Sequence, residues 1–244
     1  MKSDVHLYPA MDVFESIAKF KREHGRCNCA MLDPWYNKGV GGVRDDYVPY
    51  ISSILEALAE VSDQIYLWGF PEIVANFMGK LPTGHQYIAW LTWYYKNNPS
   101  VIRGWRSAQN ACLHMGMPNV KLYPEHFLNE AQKERLKNGK LRYIPGPTSV
   151  IEAPLNIGFI GRKEQTGHPA QKPLSVYEKL IRMATAPGDM VFDPMCGSGT
   201  TGIVCRVLNR NAVLSEINPA YVEITASRLS NFNHDAILQK HLAL

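Results

Sequence analysis

A glycine-rich turn set between a short apolar run and a helix-forming run constrains this chain more than any other feature. Met190-Val191-Phe192 reads as a buried strand. Asp193-Pro194-Met195-Cys196-Gly197-Ser198-Gly199-Thr200-Thr201 reads as the turn, and residues 202–208 read as a helix. A strand, a glycine turn and a helix in that order place a ligand site at the carboxyl edge of an α/β sheet. Gly197 and Gly199 lack a Cβ, so a ligand can approach the backbone closely. Ala212-Val213-Leu214 then reads as the neighbouring strand, with Glu216 just past its end, 17 residues after Gly199. A carboxylate there is placed to accept hydrogen bonds from ribose hydroxyls, which points to an adenosine derivative as ligand.

The Gly197-x-Gly199 spacing alone also fits a dinucleotide fingerprint. Asp193-Pro194 argues against one, because a carboxylate at the strand end repels a pyrophosphate and welcomes an ammonium. The run FDPMCGSGTTG resembles the S-adenosylmethionine loop of amino-group DNA methyltransferases. The resemblance implies a Rossmann-like α/β methyltransferase fold and S-adenosylmethionine as cofactor. Asp193, Pro194, Cys196, Gly197, Ser198, Gly199, Thr200, Thr201, Glu216 and Asn218 would then line its site. A nicotinamide oxidoreductase is the remaining cofactor alternative.

A second stretch carries chemistry. Cys29-Ala30-Met31-Leu32 reads as a buried strand ending in Asp33-Pro34-Trp35-Tyr36. Pro34 stiffens the turn and holds Asp33 out of helical geometry. The Asp33 carboxylate and the Pro34 carbonyl are two acceptors for one amino group, and Tyr36 offers a face on which a planar base can stack. An exocyclic amine conjugated to a ring is a poor nucleophile. Acceptors on its hydrogens stabilise the positive charge that develops during attack. The plain alternative is an Asp-Pro turn followed by two core aromatics.

DPWY is similar to the DPPY motif of adenine-N6 methyltransferases and departs from it at Trp35, which removes one rigid proline. The resemblance makes Asp33, Pro34, Trp35 and Tyr36 the catalytic set. His168-Pro169-Ala170-Gln171-Lys172-Pro173 is similar to the family's HPTQKP, with Ala170 in place of threonine. It implies that His168, Gln171 and Lys172 meet the cofactor, Lys172 at its carboxylate. The strand Tyr87–Tyr95 followed by Lys96-Asn97-Asn98-Pro99 is similar to the family's wall of the target-base pocket.

The catalytic tetrapeptide precedes the cofactor loop, a circularly permuted order that resembles the β group of the family. Residues 25–97 form the catalytic half, 98–166 a target-recognition region, and 167–229 the cofactor half of one 244-residue domain. Within the middle segment, residues 96–166 hold 11 Lys or Arg against 5 Glu, a net charge of about +6 compared with +4 for the whole chain. This basic, aromatic, proline-interrupted stretch suits contacts to phosphates. Lys38, Arg44, Arg103, Arg106, Lys133, Arg135 and Lys137 are the candidate nucleic-acid contacts, with a helix over 124–138 entering a groove. A solvated basic face is the alternative for any one of them.

Five cysteines without metal spacing, no long apolar run and no signal core lead to the expectation of a reduced cytoplasmic setting without metal or membrane. The resemblance implies duplex DNA as partner, and allows a homodimer and a separate restriction endonuclease. The expected activity is methyl transfer to the N6 of a flipped-out adenine. Cytosine-N4 transfer, where the family carries Ser at the first motif position, is the alternative. A third reading is a DNA-binding protein on a degenerate methyltransferase fold.

Overall fold

Short, nearly unbroken apolar runs make strands that are buried on both faces, and such strands require helices above and below the sheet. The computed structural model describes residues 3–38, 41–98, 104–157 and 164–234. Its strands are β1 (Val5–Leu7), β2 (Cys29–Leu32), β3 (Gln64–Gly69), β4 (Gln86–Tyr94), β5 (Gln109–Gly116), β6 (Val150–Glu152), β7 (Met190–Asp193) and β8 (Asn211–Leu214). Its α-helices are α1 (Val13–His24), α2 (Tyr47–Ala59), α3 (Pro71–Val74), α4 (Glu130–Lys137), α5 (Leu174–Ala184), α6 (Thr200–Val207) and α7 (Pro219–Ser230). The strands form one sheet in the order β1-β8-β7-β2-β3-β5-β4-β6, in which β5 alone runs against its neighbours.

Side chains alternate across the sheet and divide the core in two. Cys29 and Met31 of β2 face Leu180 and Ile181 of α5 and Ile203 and Val204 of α6. Ala30 and Leu32 face Ile17 and Phe20 of α1 and Ile51 and Ile54 of α2. Local chemistry fixes the helix starts. The Asp12 carboxylate accepts from the Phe14 amide at 2.8 Å, and Asn218 accepts from the Ala220 amide at 3.0 Å with Pro219 in the first turn.

Most expected elements are present, with shifted bounds. Residues 50–61 read in sequence as a helix, which in the fold spans Tyr47–Ala59. Residues 71–78 also read as a helix and form one turn of α3 followed by a 3₁₀ turn, Ala75–Phe77. The helix expected over 124–138 divides into a 3₁₀ turn, Pro124–Phe127, and α4, where Asn129 and Gln132 close a capping box. Residues 96–166 read in sequence as an irregular segment, yet they contribute β5 and β6 to the sheet. Of these, β5 is buried from Asn110 to Gly116, because it fills the space between β3 and β4.

The connections set the site. From β2 the chain moves through α2 to β3 on one side, and from β7 through α6 to β8 on the other. Because β7 and β2 are neighbours, the sheet has its switch point between them, where open α/β sheets bind ligands beyond the strand ends. Asp193 closes β7 and Asp33 follows β2 at that crevice.

Candidate active site

A cavity of about 640 Å³ opens at this switch point, within the range of small-molecule sites. Its walls come from the turn after β2, the glycine turn after β7, the residues after β8, the loop before α5, and Met11-Asp12 after β1. The two motifs are thus brought together across more than 150 residues of chain.

Around Asp33 three side chains hold the carboxylate. Its Oδ1 accepts from the Tyr36 hydroxyl at 3.0 Å; its Oδ2 accepts from Lys172 Nζ at 2.6 Å and from the Tyr177 hydroxyl at 3.2 Å. Burial raises the Tyr36 and Tyr177 phenols well above their ordinary range, with the Asp33 charge adding to the effect, so both stay neutral donors. The Tyr36 ring meets Phe70 edge-on with centroids 4.8 Å apart. Pro34 lines the cavity, and among the described residues no hydrogen bond occupies its carbonyl.

Trp35 replaces the rigidity of the missing proline by packing. Its ring stands edge-on to Tyr47 at 5.2 Å, its Nε1 donates to the Gly42 carbonyl at 3.2 Å, and its own carbonyl accepts from the Tyr47 hydroxyl at 2.5 Å. The ring lies so close to Gly41 that a Cβ there would stand 2.4 Å from Trp35 Cδ1.

The glycine turn is held from beneath. Asp193 does not face the cavity, contrary to the expectation of an ammonium-binding carboxylate. It is 2 % exposed, accepts from the Met195 amide at 3.2 Å and from the Thr201 hydroxyl, and so staples the turn. Burial pushes its carboxyl up to about 7. Gly199 and Thr201 also lie behind the lining. Gly199 adopts φ 73°, and a Cβ there would meet Thr225 Cγ2 at 2.6 Å. Pro194, Cys196, Gly197, Ser198 and Thr200 do border the cavity. Burial holds the Cys196 thiol well above its ordinary value, so it is a small filler and not a nucleophile.

At the other end, Glu216 Oε2 accepts from the Gly197 amide at 3.0 Å and Oε1 from the Asn218 amide at 2.9 Å. Each oxygen retains a lone pair for a ligand hydroxyl. Next to it Ile217 is 65 % exposed and lines the cavity as an apolar surface. His168 packs edge-on against Tyr221 at 4.3 Å, and burial lowers its pKa, keeping the ring neutral. Gln171 serves its own loop. Its Oε1 accepts from the Thr166 amide and hydroxyl at 3.0 and 2.8 Å, and its Nε2 donates to the Glu164 carbonyl at 2.7 Å.

The candidate nucleic-acid residues fall in different places. Lys38 is exposed at the cavity mouth, with Nζ 3.9 Å above the Phe70 ring. Arg44 forms a two-pronged pair with Asp46, both bonds at 2.8 Å, and stacks on Tyr50. Arg106 is exposed in the loop between β4 and β5, at the strand-end edge that holds the cavity. Arg103 lies outside the described residues. Lys133, Arg135 and Lys137 sit on α4, whose flanks are anchored at the far end of α5: the Tyr123 amide donates to the Met183 carbonyl at 2.9 Å, and Gly146 approaches the Met183 side chain. That end is 11 residues, or about 16 Å of helix, from Lys172. No residue of β4 lines the cavity, because β3 and β5 separate it from β2; Lys96 pairs with Glu152 at 2.6 Å instead.

Three residues had no sequence signal that separated them from scaffold. Tyr177 looks like an apolar-face residue of α5, Phe70 like a strand-end aromatic, and Asp12 like a helix cap only. Asp12 enters the wall because β1 pairs with β8 and delivers Met11 and Asp12 beside Glu216, the Met11 amide donating to the Glu216 carbonyl at 3.2 Å.

A nucleotide-sized cavity at the switch point, with a glycine turn on one side and a tyrosine-braced Asp-Pro turn on the other, defines a site for a nucleoside cofactor beside a second substrate. Comparison with known proteins supplies the family: residues 63–227 match the model of DNA methylases of the N6/N4 methyltransferase type, and the chain belongs to that family. It is 28 % identical over 230 residues to the Type II methyltransferase M.HpaI of Haemophilus parainfluenzae, covering 86 % of this chain and 71 % of the relative. Among solved structures it resembles the complex of M1.HpyAVI with S-adenosylmethionine (TM-score 0.68, 23 % identity, 92 % of this chain and 98 % of that one). It also resembles the cytosine-N4-specific PvuII DNA methyltransferase (TM-score 0.66, 19 % identity, 98 % and 92 %). The chain is an S-adenosylmethionine-dependent DNA amino-methyltransferase. Among the described residues no helix is long and apolar enough to cross a membrane, and no cluster of metal-binding side chains occurs.

The residues present fit the cofactor. Glu216 offers lone pairs to ribose hydroxyls, Ile217 offers an apolar surface to a purine, and the Gly197 turn leaves room for close approach.

Proposed function

We propose that the enzyme methylates the N6 amine of an adenine flipped out of duplex DNA, with Asp33 and the Pro34 carbonyl as acceptors for the amine. The observation that carries this reading is the first motif position. Asp33 presents a carboxylate at the cavity, beside a Pro34 carbonyl that no described group occupies. When bound, S-adenosylmethionine supplies an electrophilic methyl group on a sulfonium. Asp33 and Pro34 draw on the two amine hydrogens, favour a pyramidal nitrogen and stabilise the charge that develops there. Tyr36, neutral and braced by Phe70, supplies the surface on which the base rests. Glu216 would hold the ribose of the bound cofactor, and Asp12, which reaches the cavity from the end of β1, would add a second carboxylate to that wall. Asp193 and Gly199 act beneath the turn, keeping its shape.

An amine inside a duplex is out of reach of a cavity this deep, so the base leaves the stack. The duplex lies across the strand-end edge, where Lys38 and Arg106 stand, and α4 is peripheral to it. The homodimer and the separate nuclease are carried by the resemblance alone.

The test is methyl transfer from labelled S-adenosylmethionine to mixed-sequence duplex DNA, followed by nucleoside mass analysis. N6-methyladenine is the expected product. N4-methylcytosine would overturn the base assignment while leaving the family intact.

A further inference from the structure

Lys172 was expected to meet the cofactor's carboxylate, but its ammonium is committed elsewhere. Only 4 % of its side chain is exposed, and Nζ lies 2.6 Å from Asp33 Oδ2. Tyr177 donates to the same oxygen at 3.2 Å. The main chain of Lys172 is tied to the other half-site, because its carbonyl accepts from the hydroxyl of Thr200, the first residue of α6 in the cofactor turn, at 3.3 Å. One residue therefore spans both substrates' sites, with its backbone registered on the cofactor turn and its charge on the acceptor beside the target base.

A carboxylate rotates about a broad torsion, and a poorly held one presents either oxygen in many directions. Two donors on Oδ2 stop that rotation, while Oδ1 accepts only from Tyr36 among the described residues and keeps a lone pair for a further donor. We propose that Lys172 is a positioning residue for methyl transfer, which locks Asp33 through Oδ2 so that Oδ1 meets the target amine in line with the cofactor turn. This rests on the reading of Asp33 as the amine acceptor. The ion pair also explains why a carboxylate is tolerated in so enclosed a place, since a buried charge without a partner is strongly unfavourable.

Full-length wild type, K172M, K172R, D33N and the D33N/K172M double variant separate the possibilities. Two quantities are read: the dissociation constant for S-adenosylmethionine by calorimetry, and the single-turnover rate on duplex DNA at saturating cofactor. Methionine keeps the length and apolar stem of lysine but removes the charge, so K172M lowers the rate roughly 100-fold, the scale of a slightly misplaced reacting group, while cofactor affinity stays within about threefold. K172R, with the charge displaced, falls about tenfold below wild type at unchanged cofactor affinity, and carries the test even where K172M does not fold. In the D33N background K172M adds no further loss. Cofactor affinity that falls as far as the rate would assign Lys172 to the cofactor and overturn the proposal. So would losses that multiply in the double variant, or a wild-type rate in either Lys172 variant. A wild-type rate in D33N would remove the reading of Asp33 itself, and the inference with it.

Discussion

The Gly197 amide donates to Glu216 Oε2 at 3.0 Å, so the residue that ends one strand's connection also shapes the glycine turn of its neighbour. A ligand hydroxyl bound by Glu216 is read by a group that already fixes the turn. Glu216→Ala removes the ligand's acceptor and this brace together. It is expected to weaken S-adenosylmethionine binding by about 2–3 kcal/mol, the scale of lost hydrogen bonds to a charged group. Calorimetric titration checks this. An unchanged dissociation constant would remove Glu216 from the site.

The Asp193 staple makes ligand-free stability depend on pH. Its folded pKa of about 7 is raised above the ordinary carboxyl value chiefly by burial, so between about pH 4 and 7 the folded state binds a proton that the unfolded chain has lost. This group's contribution therefore falls as pH rises through that window and is lowest above pH 7. Asp193→Asn keeps the shape without the charge. The melting temperature of wild type relative to that variant is expected to decline from pH 5 to pH 8. A constant difference would show that Asp193 does not titrate there.

Trp35 stands where the resembling family has proline, but proline cannot substitute for it here. Trp35→Pro restores the family motif while removing the indole that packs on Tyr47 and holds the Gly42 carbonyl. The expected result is a loss of roughly tenfold or more in kcat/KM for DNA, since a turn moved by a fraction of an ångström misplaces Asp33 and Tyr36. A gain in activity would show that the packing is incidental.

The placement of α4 away from the cavity yields a salt-dependence test. Neutralising Lys38 and Arg106 together is expected to lower the slope of log binding constant against log salt by about 2. Neutralising Lys133, Arg135 and Lys137 on α4 is expected to change it by less than about 1. An α4 effect equal to or larger than that of the mouth residues would extend the DNA surface over α5.

Much of the site was legible because it lies in strand-end turns whose chemistry is local. The tetrapeptide after β2 and the glycine turn after β7 were each readable within about ten residues of sequence. What escaped depends on contacts between distant segments. The three residues of β1 are too few for a pattern, so nothing showed that Asp12 would reach the cofactor's wall beside β8. The strand β5 was hidden because its run includes Asn110 and His114, polar residues that read as loop. In the fold His114 is buried, with its Nε2 3.0 Å from the Gln64 side-chain oxygen and its ring stacked on Tyr66. The Lys172–Asp33 pair, 139 residues apart, has no local signature at all. The basic residues of α4 were read by charge, and charge says nothing about which end of a neighbouring helix they stand on.

The adjacency of β7 and β2 at the centre of the sheet has a cost during synthesis. When β2 and β3 have left the ribosome, the flank of β2 that β7 will cover is a bare row of backbone donors and acceptors. It remains so until about 120 further residues have been made. The nascent chain thus carries an adhesive sheet margin for roughly 6–25 s at ordinary elongation rates, before its own C-terminal third can cover it. The order of motifs that puts the catalytic turn first in the chain also leaves that turn's own strand unpaired on one side until the cofactor half is made.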